Sequence, residues 1–297
     1  LIEIRELTKT YGGHRAVDRL SFSAPAGKVT GFLGPNGAGK TTTFRCLLGL
    51  ARPSSGEALV DGRLYRDLAA PRRTVGAVLE SSGFHPSRTG RDHLRVIARA
   101  AGLDPGRIAP ALEVVGLAGA ADRRVGGWSL GMRQRLGIAA AVLGDPAVLV
   151  LDEPANGLDP EGVRWVRDIL RRWADDGRAV MVSSHQLAEI AQVVDRVVIV
   201  RDGRLVAETD LADLPAARVT VRVDRTEALL GALGAAGVAH EVLADGAIAV
   251  ADRDPASVGA LAAGAGVTVT ELGRTGTGEA LEALFLDLTR ETGGNGR

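Results

Sequence analysis

The run "GPNGAGKTT", comprising Gly34, Pro35, Asn36, Gly37, Ala38, Gly39, Lys40, Thr41 and Thr42, fits G-x-x-x-x-G-K-[ST] at every fixed position. Glycines at that spacing let backbone N–H groups approach phosphate oxygens. The lysine reaches the β- and γ-phosphates, and the hydroxyl of Thr41 reaches Mg2+. A second run, "AVLVLDEP", ends an apolar stretch in two adjacent carboxylates, Asp152 and Glu153. Side chains alternate along a strand, so the two acids are expected on different sides, Asp152 holding Mg2+ while Glu153 orients and deprotonates an attacking water. His185 closes "VMVSSHQ"; at the end of a parallel strand its imidazole would share the carboxylates' sheet edge, accepting from water or donating to the γ-phosphate. A third run, "WSLGMRQRL", has no paired acids and no nucleophile beside a base. Ser129 has the chemistry of a helix N-cap, Gly131 permits close approach to the backbone, and the positive end of a helix suits an anion. A serine before an apolar run is ordinarily only a cap; here the phosphate cradle supplies the anion.

These residues need a scaffold that gathers strand ends at one edge. Short apolar runs alternate with helical periodicity through about residue 210, which favours an α/β domain with a largely parallel sheet. "VTGFLG", "AVLVLD" and "AVMVSS" are apolar enough to be strands buried on both faces. Asp61-Gly62 and Asp202-Gly203 read as hairpin turns. Between about 86 and 144 helical periodicity replaces the strand signal, which predicts an inserted helical subdomain. After Leu214-Pro215 the pattern becomes βαββαβ, with a hairpin at Asp245-Gly246 and an amphipathic closing helix through Leu281, Leu284, Phe285 and Leu288. That order predicts a small α+β, ferredoxin-like domain. The expected division is therefore 1–214 for the nucleotide-binding domain and 215–297 for an accessory domain.

Composition narrows the function classes. Of 297 residues, 45% are hydrophobic and 24% charged, as in a globular protein. Thirty-six basic and 36 acidic residues cancel, so no nucleic-acid partner is expected from net charge. Cys46 is the single cysteine, which excludes an intrachain disulfide and a cysteine-based metal site. The opening "LIEIRELTKT" alternates like a strand and lacks signal-peptide features, and no apolar run is long enough to span a bilayer. A cytoplasmic chain is the expectation.

With "NGLDP" and "SSHQ" added, these runs in this order resemble the nucleotide-binding subunits of ABC transporters over about residues 1 to 210. The resemblance implies an ABC-type P-loop ATPase fold and a head-to-tail pair of copies around two Mg-ATP molecules. Ser129 and Gly131 of one copy would then cap the γ-phosphate held by the other. It also implies that Tyr11 stacks on adenine with Val17 as an apolar neighbour, and that Asp159 lies in a loop linking the two sites. The signature departs from the common Leu-Ser-Gly-Gly-Gln at Trp128, Leu130 and Met132. Leu130 makes that loop stiffer than glycine would. Glu80, in "VGAVLESSGFHP", stands where the family usually has a glutamine. A carboxylate there can accept from a metal-bound water but cannot donate. With the Ser-Leu-Gly-Met signature, this looks like the bacitracin- and lantibiotic-resistance branch. The implied function is hydrolysis of ATP to drive a separate membrane permease exporting a drug-like or peptide compound, from the inner face of the membrane. Phe84, beside Glu80, is the expected aromatic anchor for that permease. The alternative is a non-transport member acting in translation or DNA repair. Those types usually carry two nucleotide domains or a long coiled-coil insert, and this sequence has neither. A regulator with little turnover is opposed by the presence of Glu153.

Overall fold

The computed structural model describes residues 1–79, 83–184, 191–213, 218–243, 245–251, 253–275 and 281. Glu80, His185 and, beyond the buried Leu281, the closing helix expected through Leu288 lie outside the described residues. The chain divides into two compact units, Leu1–Thr209 and Asp210–Arg297.

In the first unit, β1 (Ile2–Tyr11) pairs antiparallel with β2 (His14–Ala24) and with β4 (Ser55–Val60), giving the sheet order β2-β1-β4. The second sheet contains β3 (Val29–Leu33), β5 (Val75–Val78), β6 (Val148–Asp152), β7 (Ala179–Ser184), β8 (Arg196–Arg201) and β9 (Arg204–Asp210). Its order is β5-β6-β7-β3-β8-β9, and the pairings β5/β6, β6/β7, β7/β3 and β3/β8 are parallel. The three runs read as central strands are β3, β6 and β7. Every residue of β3 and β6 is buried, as expected for strands covered on both faces. The core joins Phe22, Phe32 and Phe44, with ring centroids 5.1 and 5.6 Å apart along the series.

Among the described residues of this unit the α-helices are α1 (Lys40–Leu47), α2 (Pro71–Thr74), α3 (Gly90–Ala100), α4 (Ile108–Val114), α5 (Leu130–Val142) and α6 (Pro160–Asp175). Three of them, α3 to α5, fall between β5 and β6. Thr89 starts α3 by accepting from the Asp92 N–H, and Trp128, 2% exposed, packs so closely on Gly90 that a Cβ there would lie 2.4 Å from its ring. Trp128 is therefore an anchor of the helical packing. Both Asp-Gly pairs adopt positive φ at both residues, the requirement of a type I′ turn. Asp202-Gly203 joins β8 to β9, whereas Asp61-Gly62 closes only the single bridge Val60 to Arg63 before the chain enters a short 3-10 turn at Tyr65–Asp67.

The second unit runs β10 (Arg218–Val223), α7 (Thr226–Ala235), β11 (His240–Val242), β12 (Ile248–Val250), α8 (Pro255–Gly264) and β13 (Val269–Thr275). Its sheet order is β11-β12-β10-β13, with every pair antiparallel. Val219, Val221, Ile248 and Val250 face Leu229, Leu233, Val258 and Ala262 in its own core. Asp254 caps α8 by accepting from the Ser257 N–H.

Candidate active site

The cradle forms where β3 ends and α1 begins. Gly39 takes φ +98° at the α1 N-cap, and a Cβ there would lie 2.4 Å from the Ala16 carbonyl oxygen; a Cβ on Gly34 would lie 2.3 Å from that of Val200. Only glycine tolerates both demands at position 39. No side chain caps α1, so its first N–H groups remain available to an anion. Lys40 is 7% exposed, and its Nζ donates to the Gly34 carbonyl at 2.6 Å and that of Pro35 at 3.2 Å.

Sheet order brings the acids to this lysine. β6 and β7 are neighbours, and their register pairs Asp152 with Ser183. Ser183 Oγ donates to Asp152 Oδ1 at 2.6 Å, while Thr41 Oγ1 donates to Asp152 Oδ2 at 2.7 Å. The carboxylate is 1% exposed and has a hydroxyl donor on each oxygen, as burial of a charge requires. Ser183 Oγ also accepts from the Glu153 backbone N–H at 2.9 Å. Glu153 has φ +49°, an uncommon conformation for a residue other than glycine. Asp152 and Glu153 both line one cleft, and the backbone leaves the strand conformation at Glu153. Glu153 Oε1 lies 4.0 Å from Lys40 Nζ.

The cleft holds about 330 Å³ and is lined by Ala16, Asn36, Gly37, Ala38, Gly39, Lys40, Thr41, Thr42, Asp152, Glu153 and Asn156. Gly34 and Pro35 sit behind it and contribute the carbonyls that hold Lys40. Three participants were not read from the sequence: Ala16, Asn156 and Ser183. Val17 is fully buried in the core, so its neighbour Ala16 meets the cleft instead. Tyr11 stands outside the lining at the β1–β2 turn, 45% exposed, with Lys9 Nζ 4.6 Å from its ring centre. Ser129 and Asp159 are both helix caps: Ser129 accepts from Met132 N–H at 3.2 Å, and Asp159 from Gly162 N–H at 2.8 Å. Neither these nor Gly131 lines this cleft.

The donors Thr41 Oγ1 and Asp152 Oδ2 are hard oxygens in hydrogen-bond contact, which fits Mg2+, an ion that keeps several waters and binds one or two carboxylates together with substrate phosphates. Among the described residues no group of three His, Cys, Asp or Glu side chains is placed to hold a metal alone. The phosphates would have to complete the site.

A family model described as "ABC transporter" matches residues 17–156, and one described as a domain of unknown function (DUF8746) matches 217–282. The chain is 42% identical over 211 residues to the bacitracin transport ATP-binding protein BcrA of Bacillus licheniformis, covering 70% of this chain and 69% of that protein. It is 35% identical over 212 residues to the lantibiotic transport ATP-binding protein SrtF of Streptococcus pyogenes, covering 71% and 91%. Among solved structures, the ATP-binding subunit of an ABC transporter superposes with a TM-score of 0.65 at 28% identity, over 72% of this chain and 91% of that one. The dimeric ABC transporter cassette MJ0796 shares the fold, with a TM-score of 0.65 at 23% identity over 71% and 98%.

Proposed function

The chain belongs to the ATP-binding proteins of ABC transporters, whose enzyme class is ATPase, and from that premise we propose that it powers an exporter as a head-to-tail pair of copies acting on a separate membrane permease. The observation that carries the hydrolytic part is the network in which Ser183 ties Asp152 to the Glu153 backbone while Thr41 holds the other Asp152 oxygen. Lys40 offers its ammonium to the β- and γ-phosphates, and the N–H groups of 34–42 cradle them. Thr41 and Asp152 hold Mg2+, which when bound offsets phosphate charge. Glu153 takes the proton of the attacking water. His185 and Glu80 belong to this sheet edge by sequence alone.

Ser129 and Gly131 act on the nucleotide of the other copy, and Asp159 lies in the loop that links the sites. Their position at the starts of two helices, outside the lining of their own cleft, supports this. ATP binds the closed pair better than the open one, and hydrolysis removes the difference. Tyr11 is the adenine platform. Residues 215–297 form a ferredoxin-like accessory domain that follows an ATPase at 1–214 in the sequence; the strand order β11-β12-β10-β13 supports it. Among the described residues no helix is long and apolar enough to cross a membrane, so the permease supplies the path and holds this subunit at the inner face. The two relatives named for bacitracin and lantibiotic transport favour a peptide-type antibiotic as cargo.

The permease docks at an apolar groove lined by Leu48, Leu50, Phe84, His93 and Ile97. Phe84 packs against His93 with ring centres 4.9 Å apart, and burial together with nearby Arg88 holds that imidazole below its usual pKa. Phe84→Ala is expected to leave the basal ATPase of the purified subunit intact and to weaken co-purification with the permease by about 2 kcal/mol, the size of an interface hot spot. Both are measured on one preparation. Loss of basal ATPase or of folding would assign Phe84 to the subunit's own core.

A further inference from the structure

The turn that opens α5 carries a bulky residue, Leu130, where the common Leu-Ser-Gly-Gly-Gln signature has glycine. Leu130 is 56% exposed, yet its side chain is not directed at open space alone. A Cβ built on Gly157 would lie 2.5 Å from Leu130 Cδ2. Gly157 also has φ +73°, so both the missing side chain and the left-handed backbone make a notch for the leucine. The contact is doubled next door, where a Cβ on Gly131 would lie 3.4 Å from Leu158 Cδ2. Further along the same helices the Arg135 guanidinium lies 4.4 Å from the centre of the Trp165 ring. The start of α5 therefore packs on the loop that precedes α6 within one chain.

That loop reaches the chain's own cleft. Asn156 lines it, the Asn156 N–H donates to the Glu153 carbonyl at 3.1 Å, and Glu153 is pinned through its own N–H to Ser183. From Leu130 to the proposed base the route is one side-chain contact, a short covalent stretch and one hydrogen bond. We propose that Leu130 is a positioning residue: it couples the loop behind Glu153 to the pose of Ser129, so that occupancy of a chain's own cleft sets how the signature segment is presented to the other copy. This rests on the reading of Ser129 as a group acting across the pair.

Two substitutions and one cycle test it. In nucleotide-free protein, Leu130→Ala is expected to speed amide exchange across residues 155–158, because the contact that fills the notch is lost. It should lower kcat for ATP by about threefold to tenfold, within the lower part of the range of coupling between touching residues, with KM little changed. Leu130→Met, which conserves volume, should restore both. In a Gly157→Ala background the sign reverses: Leu130→Ala removes a clash and raises kcat above that of Gly157→Ala alone. The backbone strain of an alanine at that φ is common to both and cancels. Unchanged exchange together with a raised KM would mean that Leu130 touches only the other copy's nucleotide, and would overturn the proposal, as would additive effects in the cycle. Should ATP-driven pairing fail while the exchange response persists, the pairing falls and the Leu130 contact stands.

Discussion

Glu153→Gln should lower ATP turnover by about 10²- to 10⁴-fold, the usual contribution of a positioned general base, while leaving ATP affinity nearly unchanged. The substitution keeps shape and length but replaces a proton acceptor with an amide. The backbone that places it is untouched, since the Glu153 N–H remains on Ser183 Oγ and φ remains near +49°. The phosphate cradle from Gly34 to Thr42 is equally untouched, so nucleotide still binds. Because hydrolysis is what releases the closed pair, the variant should accumulate as an ATP-bound dimer. Phosphate release and light scattering on the same sample check both halves; near-normal turnover would remove Glu153 from the role of base.

Ser183→Ala should also lower turnover, by less than Glu153→Gln, although Ser183 does not line the cleft. Its hydroxyl donates to a carboxylate that is 1% exposed and accepts from the N–H of the base. Hydrogen bonds to charged groups contribute about 1.5–3 kcal/mol, and a buried partner left unsatisfied carries the full desolvation cost. An equal loss in the transition state is about 10- to 100-fold in kcat. Stability should fall as well, by about 1–3 kcal/mol, read from the urea midpoint. A variant with wild-type kcat would show that the Asp152–Ser183–Glu153 network holds the fold and not the chemistry.

Ser183 shows where sequence reading stops. The cradle is legible because its chemistry is contiguous: glycine conformations, the lysine and the hydroxyl all fall within Gly34 to Thr42. Strands β3, β6 and β7 are legible because each is a short, mostly apolar run. What joins Asp152 to Ser183 is the register of two parallel strands, which no local pattern encodes. The only local sign was a pair of serines ending the otherwise apolar run "AVMVSS". The backbone turn at Glu153 was hidden for a different reason. Alternation assumes extended backbone, and the positive φ at Glu153 breaks it. At β2 the sequence reading named Val17, which is buried, and left out Ala16, which lines the cleft. In the second unit Asp245-Gly246 was readable as a turn between β11 and β12, with Gly246 at φ +82°, whereas the order of the four strands rests on long-range pairing. The notch under Leu130 could not be read either, since residues 130 and 157 meet only through the packing of α5 against the loop before α6.

The central claim is that one copy's signature segment completes the other copy's ATP site. A mixed pair tests it directly: one tagged chain carries Ser129→Cys, the other Asn36→Cys, both with Glu153→Gln so that ATP is retained. Cys46, the single native cysteine, is buried, and burial pushes its thiol pKa up, so it stays out of the reaction. Asn36 is an exposed residue lining the cleft, which leaves its substitute open to attack. With ATP and a mild oxidant, a disulfide joining the two differently tagged chains is the expected product, and it should be absent without nucleotide. A single chain carrying both cysteines that instead closes the bond within itself, with no cross-chain product under ATP, would contradict the claim.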